Sequence, residues 1–447
     1  MNKLIETLTN IWKIEELRNR ILYTLGLVLI YRIGSFVVLP GIDPAVLSQQ
    51  ADGGGLLGII NMFAGGAFNR ASVFALGIMP YISASIVMQL LGLAVPYFQK
   101  MQREGESGRR RMNQITRGLT VAITMVQASA YVKYLYFVSG GAILIGSGLF
   151  WLSTTIVLTA GTVFVMWLGE KITDRGIGNG ISIIIMTGII ASLPGALVGE
   201  FNSRLDGGGT GGMIFFIIEM LILGLIVMAT ILLVQGTRKI PVQYAKRIVG
   251  NKQYGGVRNY IPLKVNISGV MPIIFAQAFL FIPGTIAQAL PGSIESGTGF
   301  LGKMSDFTSW PYNIVMFLMV VLFTYFYTAL IVNPVQMADD LKRNNGFIPG
   351  VKPGKKTAEY IDTIMSRITL PGSLFLAFVA IMPAFASKFG INQQFAIFYG
   401  GTSLLIMVAV VLDTLQQVES HLLMRHYDGL TKSGSRIKGR SSIGASI

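Results

Sequence analysis

The chain has 447 residues, 52% hydrophobic and only 13% charged, with a mean hydropathy of +0.60 and a formal net charge of +15. A soluble domain carries about a quarter charged residues, so this balance excludes an ordinary soluble protein and indicates an integral membrane protein. Cysteine is absent and the two histidines, His421 and His426, both lie in the C-terminal tail, which excludes disulfides, thiolate metal sites, Cys nucleophiles and any buried Ser–His or His–metal centre.

The first stretch, MNKLIETLTNIWKIEELRNR (1–20), lacks the apolar core and small-residue cleavage site of a signal peptide. It reads as an amphipathic helix lying on the membrane surface. A helical span needs about 20 mostly apolar residues. Ten stretches qualify, near 21–39, 71–96, 116–137, 149–170, 178–197, 213–235, 268–289, 311–332, 368–387 and 393–413. One apolar piece is left over. GGLLGIINMFAGGAF (54–68) is too short to span and soft with glycine, and reads as a re-entrant half-helix directly before a full span that carries Pro80. The fold class is therefore an all-α polytopic membrane protein. It divides into an N-terminal helix (1–20), a first half (21–197), a second half (213–413) and a C-terminal tail (414–447).

Of the 36 Lys and Arg residues, 30 fall in the N-terminal arm, in alternate connections and in the tail. The long basic loops are 236–267 and 333–367, whereas the opposite side holds only Arg70, Arg204, Lys303 and Lys388. The positive-inside rule then places both termini and the basic loops in the cytoplasm. Topology accounts for the positive charge without nucleic-acid binding, although basic loops could meet RNA or anionic lipid. Ten spans split five and five, and an odd number per half forces the second half to be inverted. No residue-level repeat is visible.

Intramembrane acids are scarce. Glu219 is the clearest, about two turns inside its span. With Arg32 it could form the mid-depth ionisable pair of an ion-coupled transporter; alternatively each residue snorkels or pairs structurally near the outer interface. PGVKPGKKT (349–357) approaches the phosphate-loop pattern but fails it twice, with Pro349 at the first Gly position and Lys356 after Lys355. RGIGNG (175–180) follows no strand and reads as a tight turn. Any energy source must then come from a partner.

Residues four apart share a helix face. Ile78 and Ile82 do so in the second span, and Ile181 and Ile185 in the fifth. Alone they are ordinary span material. A ring of such side chains at a narrow waist would close a pore by excluding water.

Several long stretches are distinctive together: YRIGSFVVLPGID (31–43), NMFAGGAFNRASVFALGIMPYISASIVMQLL (61–91), EGESGRRR (104–111), MWLGEKITDRGIGNGISIII (166–185), YAKR (244–247), PLKVN (262–266), FYTALIVNP (326–334) and YGGTSLLI (399–406). With them the chain resembles the SecY family of bacterial protein-conducting channels, in order and over nearly its whole length. The resemblance implies ten helices in two inverted halves around a central hourglass pore. It implies that 54–68 is a plug, with Leu56, Leu57, Ile59, Ile60, Asn61, Met62, Phe63, Gly65 and Gly66 as its residues. Weak packing and glycine hinges would suit a part that must leave its seat. The family's pore ring maps onto Ile78, Ile82, Ile181, Ile185, Ile274 and Ile406.

The resemblance also implies a lateral gate, spans two and three against seven and eight. Ser83, Gln89, Gln127 and Gln277 are polar candidates for its seam. An apolar signal sequence would part such a seam. The basic loops are implied to dock the ribosome and a SecA-like ATPase motor, through Lys246, Arg247, Lys252, Arg258, Lys352, Lys355 and Lys356. Two positions depart from the family pattern. Lys352 stands where Arg is usual and lacks its planar fork, and Asn251 replaces a basic residue at a loop tip. SecE-like and SecG-like membrane subunits, signal sequences, unfolded polypeptide and anionic lipid are the implied partners. No cofactor and no catalytic residue is implied, and the location is the bacterial cytoplasmic membrane. The rivals are an ion-coupled solute transporter, which predicts paired acids at mid-depth, and an intramembrane enzyme, which predicts His, Cys or paired Asp within the spans.

Overall fold

A computed structural model describes residues 12, 14–43, 61–138, 143–144, 146–205, 212–244, 247–249, 252–254, 258–277, 279–280 and 308–433. The predicted surface helix at 1–20 falls mostly outside these residues. From Glu15 onward the chain is already the first long helix, α1 (Glu15–Gly34). Glu15 and Glu16 in its first turn complement the helix dipole, and Arg20 reaches back to Glu16 at 3.3 Å. It ends five residues before the predicted boundary because residues 37–39 pair elsewhere: Val37 and Leu39 exchange backbone hydrogen bonds with Val73 and Ala71.

The second span differs most from expectation. Residues 71–78 form turns rather than helix, with Ala71 and Gly77 at positive φ, and α2 runs only over Met79–Ala94. Pro80 therefore sits in the first turn and produces no kink, since its missing N–H would have had no helical partner there. Val95, extended before Pro96, stops the helix. The short helix α3 (Pro96–Arg103) then departs at 100°.

Next come α4 (Glu106–Val138), α5 (Ser147–Arg175), α6 (Gly180–Leu205) and α7 (Gly212–Gln235). Helix α8 covers residues 271–277, and the rest of the predicted 268–289 span lies largely outside the described residues. Helix α9 (Trp310–Ile331) is capped by Ser309, and α10 (Pro334–Arg343) by Asn333, whose side chain accepts from two backbone amides. The long α11 (Lys355–Lys388) is followed by α12 (Gln393–Ala396), a 3-10 turn and α13 (Gly401–Ser433). Helix α13 runs straight through the tail boundary expected at 413. Six helices of the described residues are long and apolar enough to cross a membrane, or seven if the bent α2–α3 pair counts as one.

The inverted halves, invisible as residue repeats, appear in the packing. Helix α4 packs on α5, α5 on α6 and α1 on α6. Five spans later, α9 packs on α11, α11 on α13 and α7 on α13. The halves meet where α6 packs against both α7 and α13. The 175–180 turn is locked at this junction, as Thr24 Oγ1 accepts from Ile177 N at 3.1 Å and Gln417 Oε1 accepts from Gly178 N at 2.8 Å.

The basic loops contain the only named strands among the described residues: β1 (Thr237–Tyr244), β2 (Arg247–Val249), β3 (Lys252–Tyr254), β4 (Arg258–Lys264) and β5 (Gly346–Phe347). β1 is central, antiparallel to β4 from Thr237↔Lys264 to Gln243↔Arg258 and to β5 at Gln243↔Phe347. A small core of Ile240, Val242, Leu263, Leu341, Ile348, Ile361 and Met365 joins the two loops into one unit.

Candidate functional site

The six isoleucines come from four helices spread over most of the chain. Ile78 caps α2, and its carbonyl accepts from Ile82 N at 3.1 Å, which keeps the pair one turn apart. Ile181 and Ile185 stand on α6, Ile274 on α8 and Ile406 on α13. All six belong to one continuous apolar cluster: Ile78, Ile185 and Ile406 are buried in it, and Ile82, Ile181 and Ile274 pack against it half-buried. Met62 and Phe63 of the predicted plug are in the same cluster.

Of the plug residues, Leu56, Leu57, Ile59 and Ile60 lie outside the described residues. Asn61, Met62 and Phe63 are helical. Gly65 and Gly66 then reverse the chain with φ of +64° and +82°, a left-handed conformation that glycine adopts without strain. Asn61 secures the turn at both ends, since its carbonyl accepts from Gly66 N at 2.8 Å and its side-chain oxygen from Asn69 N at 2.9 Å. The expected loose packing is not what residues 62–68 show. Met62, Phe63, Ala64, Ala67 and Phe68 are all buried. The backbone of residues 63–65 lies so close to α6 that a Cβ on Gly188 would come within 2.4 Å of the Phe63 carbonyl oxygen. Tyr131 on α4 donates to the Phe68 carbonyl at 2.6 Å. Two guanidiniums, those of Arg32 and Arg70, donate to the Gly65 carbonyl at 2.8 Å each.

The four gate candidates separate. Tyr327 on α9 donates its hydroxyl to Gln89 Oε1 on α2 at 3.2 Å, a bond that crosses the predicted seam. Gln89 Nε2 in turn donates to Ser85 Oγ at 3.3 Å. Gln277 lines a cavity of about 30 Å³ with Tyr312 and Asn313 of α9, room for about one water. Ser83 bonds its own helix, donating to the Met79 carbonyl at 3.1 Å. Gln127 is half-buried on α4 and meets none of the other three through a hydrogen bond. Tyr327 was not among the sequence candidates, although a hydroxyl on an apolar span inside FYTALIVNP was a signal for it.

Lys246 and Asn251 lie outside the described residues; Arg247, Lys252 and Arg258 start strands β2, β3 and β4. Lys352, Lys355 and Lys356 are exposed at the turn into α11, and Arg238, Lys239, Lys264, Lys342 and Arg343 are exposed on the same unit. The phosphate-loop decoy is this turn, with Gly354 at φ +98° before the helix.

Arg32 and Glu219 do not pair. Glu219 instead binds Arg204 at 2.5 Å, and Arg204 also holds Glu200 at 2.8 Å and the Gly390 carbonyl at 3.0 Å. Glu200 Oε2 accepts from Asn392 N at 2.8 Å. All three charged residues are buried, so this cluster staples α6, α7 and the 390–392 turn. Sequence spacing could have offered Glu200–Arg204, four apart on one helix; the link to Glu219 crosses between helices.

Comparison with known proteins agrees with this architecture. The family model described as SecY matches residues 72–415. A protein translocase subunit SecY of Halalkalibacterium halodurans is 44% identical over 434 residues, covering 96% of this chain and 100% of the relative. A solved structure described as "The structure of a protein conducting channel" superposes with a TM-score of 0.63 at 19% identity, covering 94% of this chain and 95% of that one. Another, "Sec61 in the Canine ribosome-channel complex from the endoplasmic reticulum", gives 0.60 at 17% identity, with 94% and 95% covered. With a relative this similar over almost its full length, and the same helical architecture around the isoleucine cluster, the chain belongs to the SecY family.

Proposed function

We propose that this chain is a passive, gated channel that passes unfolded secretory polypeptide across the bacterial cytoplasmic membrane and releases apolar segments sideways into lipid. The observation that carries the reading is the convergence of Ile78, Ile82, Ile181, Ile185, Ile274 and Ile406 with Met62 and Phe63 in one apolar cluster. An apolar waist excludes water and ions when closed, and can deform around a chain because it has no fixed hydrogen bonds to break. Residues 54–68 act as the plug beneath it. The lateral gate lies between α2 and α4 on one side and α8 and α9 on the other, latched by Gln89 and Tyr327.

In this reading the chain performs no chemistry and uses no cofactor. Work comes from partners at the basic unit built by residues 236–267 and 333–367: a SecA-like ATPase motor or a ribosome, with rRNA phosphate and acidic protein faces both suited to its exposed Lys and Arg. SecE-like and SecG-like subunits and anionic lipid complete the assembly, and both termini are cytoplasmic. A solute transporter centred on Glu219 is less well supported, since that carboxylate is committed to Arg204.

Single-channel conductance in planar bilayers tests the proposal. The parent should be silent at rest. Deletion of residues 54–68 and the double change Ile82→Gly with Ile274→Gly should each leak ions. Properly inserted variants that stay silent would overturn the seal assignment.

A further inference from the structure

We infer that Arg32 is a positioning residue for the plug: it holds the Gly65 carbonyl against α1, and opening requires this bond to break. The inference rests on the plug reading above. Arg32 stands in the last turn of α1, and its Nη1 lies 2.8 Å from the Gly65 oxygen. Arg70 donates to the same oxygen at 2.8 Å, but it is only five residues along the chain, just past the 54–68 piece, so its bond is a local one. Arg32 is 33 residues away on a different helix. Of the two hydrogen bonds, only that of Arg32 joins the turn directly to a separate helix.

The surroundings are built for this grip. Gly65 is at φ +64°, and a Cβ there would sit 2.7 Å from Arg32 Nη1 and 3.1 Å from the Gly188 Cα, so a side chain would displace the donor. The Phe36 ring lies 5.1 Å from the Arg32 guanidinium carbon and 4.2 Å from that of Arg70, a cation–π platform under both. Ser35 Oγ donates to the Arg32 carbonyl at 2.7 Å and steadies the end of α1. Among the described residues neither guanidinium forms an ion pair with a carboxylate. The Gly65 oxygen is therefore what the two like charges share. Removing it leaves two partly buried cations facing one another without their acceptor, which favours the seated plug.

The test is resting conductance of the full-length protein in planar bilayers, comparing the parent, Arg32→Gln, Arg32→Lys, the 54–68 deletion, and the deletion combined with Arg32→Gln. Loss of one charge-assisted hydrogen bond should raise the resting open probability about tenfold in Arg32→Gln. Arg32→Lys, which keeps the charge but loses the fork, should leak less. In the deletion background Arg32→Gln should add nothing, because the carbonyl it holds is gone. A leaky deletion beside a tight Arg32→Gln overturns the inference and leaves the pore reading intact. An additive leak in the combined variant also overturns it, since Arg32 would then act on the general packing. A silent deletion removes the plug reading itself.

Discussion

Tyr327 and Gln89 are 238 residues apart in sequence, yet the tyrosine hydroxyl donates to the glutamine oxygen at 3.2 Å. The bond joins α2 of the first half to α9 of the second at the seam where a lateral gate would open. It is one hydrogen bond between two membrane helices, so it is a local, breakable tie.

Tyr327→Phe removes the donor and keeps the ring. A hydrogen bond of this kind contributes about 1 kcal/mol, and measured values between membrane helices are similar. Gate opening should therefore become several-fold easier. Site-specific cross-linking of a signal peptide to α2 should rise, and export of a reporter with a weakened signal should improve. Unchanged cross-linking would show that the bond is incidental.

Arg204 is the shared partner of two buried carboxyl groups, Glu200 and Glu219. Arg204→Met should destabilise the purified protein strongly, by about 3–5 kcal/mol, because it strands Glu200 and Glu219 without a cation. Adding Glu200→Gln and Glu219→Gln should recover most of the loss. Thermal unfolding in detergent measures both. If the triple change is no more stable than Arg204→Met, the cost lies in packing and not in charge.

Gly188 approaches the backbone of residues 63–65, the proposed plug, without a side chain between them. Gly188→Ala places a methyl 2.4 Å from the Phe63 oxygen and 3.1 Å from Gly65 N, both backbone atoms that cannot rotate away. The plug should be pushed from its seat, giving a resting ion leak with an intact isoleucine cluster. A tight Gly188→Ala channel would mean that α6 yields instead.

Lys355 and Lys356 are exposed on the unit built from the two basic loops. Lys355→Glu with Lys356→Glu should weaken ribosome binding and reduce its salt dependence by about 0.7–0.9 per lost phosphate contact. Resting conductance should not change, because neither lysine belongs to the isoleucine cluster proposed as the seal. Unaltered binding across a salt series would place the docking surface elsewhere on the unit.

Much of this protein is legible in its sequence. Apolar length marks the membrane helices because the bilayer rewards runs of about 20 such residues. The motifs around 61–91 and 166–185 identify the family, and with it the six isoleucines. Local reading fails where partners from distant segments decide the outcome. Residues 71–78 are apolar enough for a span, yet they turn because Ala71 and Val73 pair with residues 37–39 and leave Pro80 to begin the helix. Glu219 could be weighed against Arg32 by sequence, but helix packing brings Arg204 to it and gives Arg32 to the Gly65 carbonyl. The Gln89–Tyr327 bond and the joining of two basic loops into one sheet have the same cause. Hydrophobicity and local spacing are properties of a segment; which side chains face one another across helices depends on how the two halves pack, and only the tertiary structure decides that.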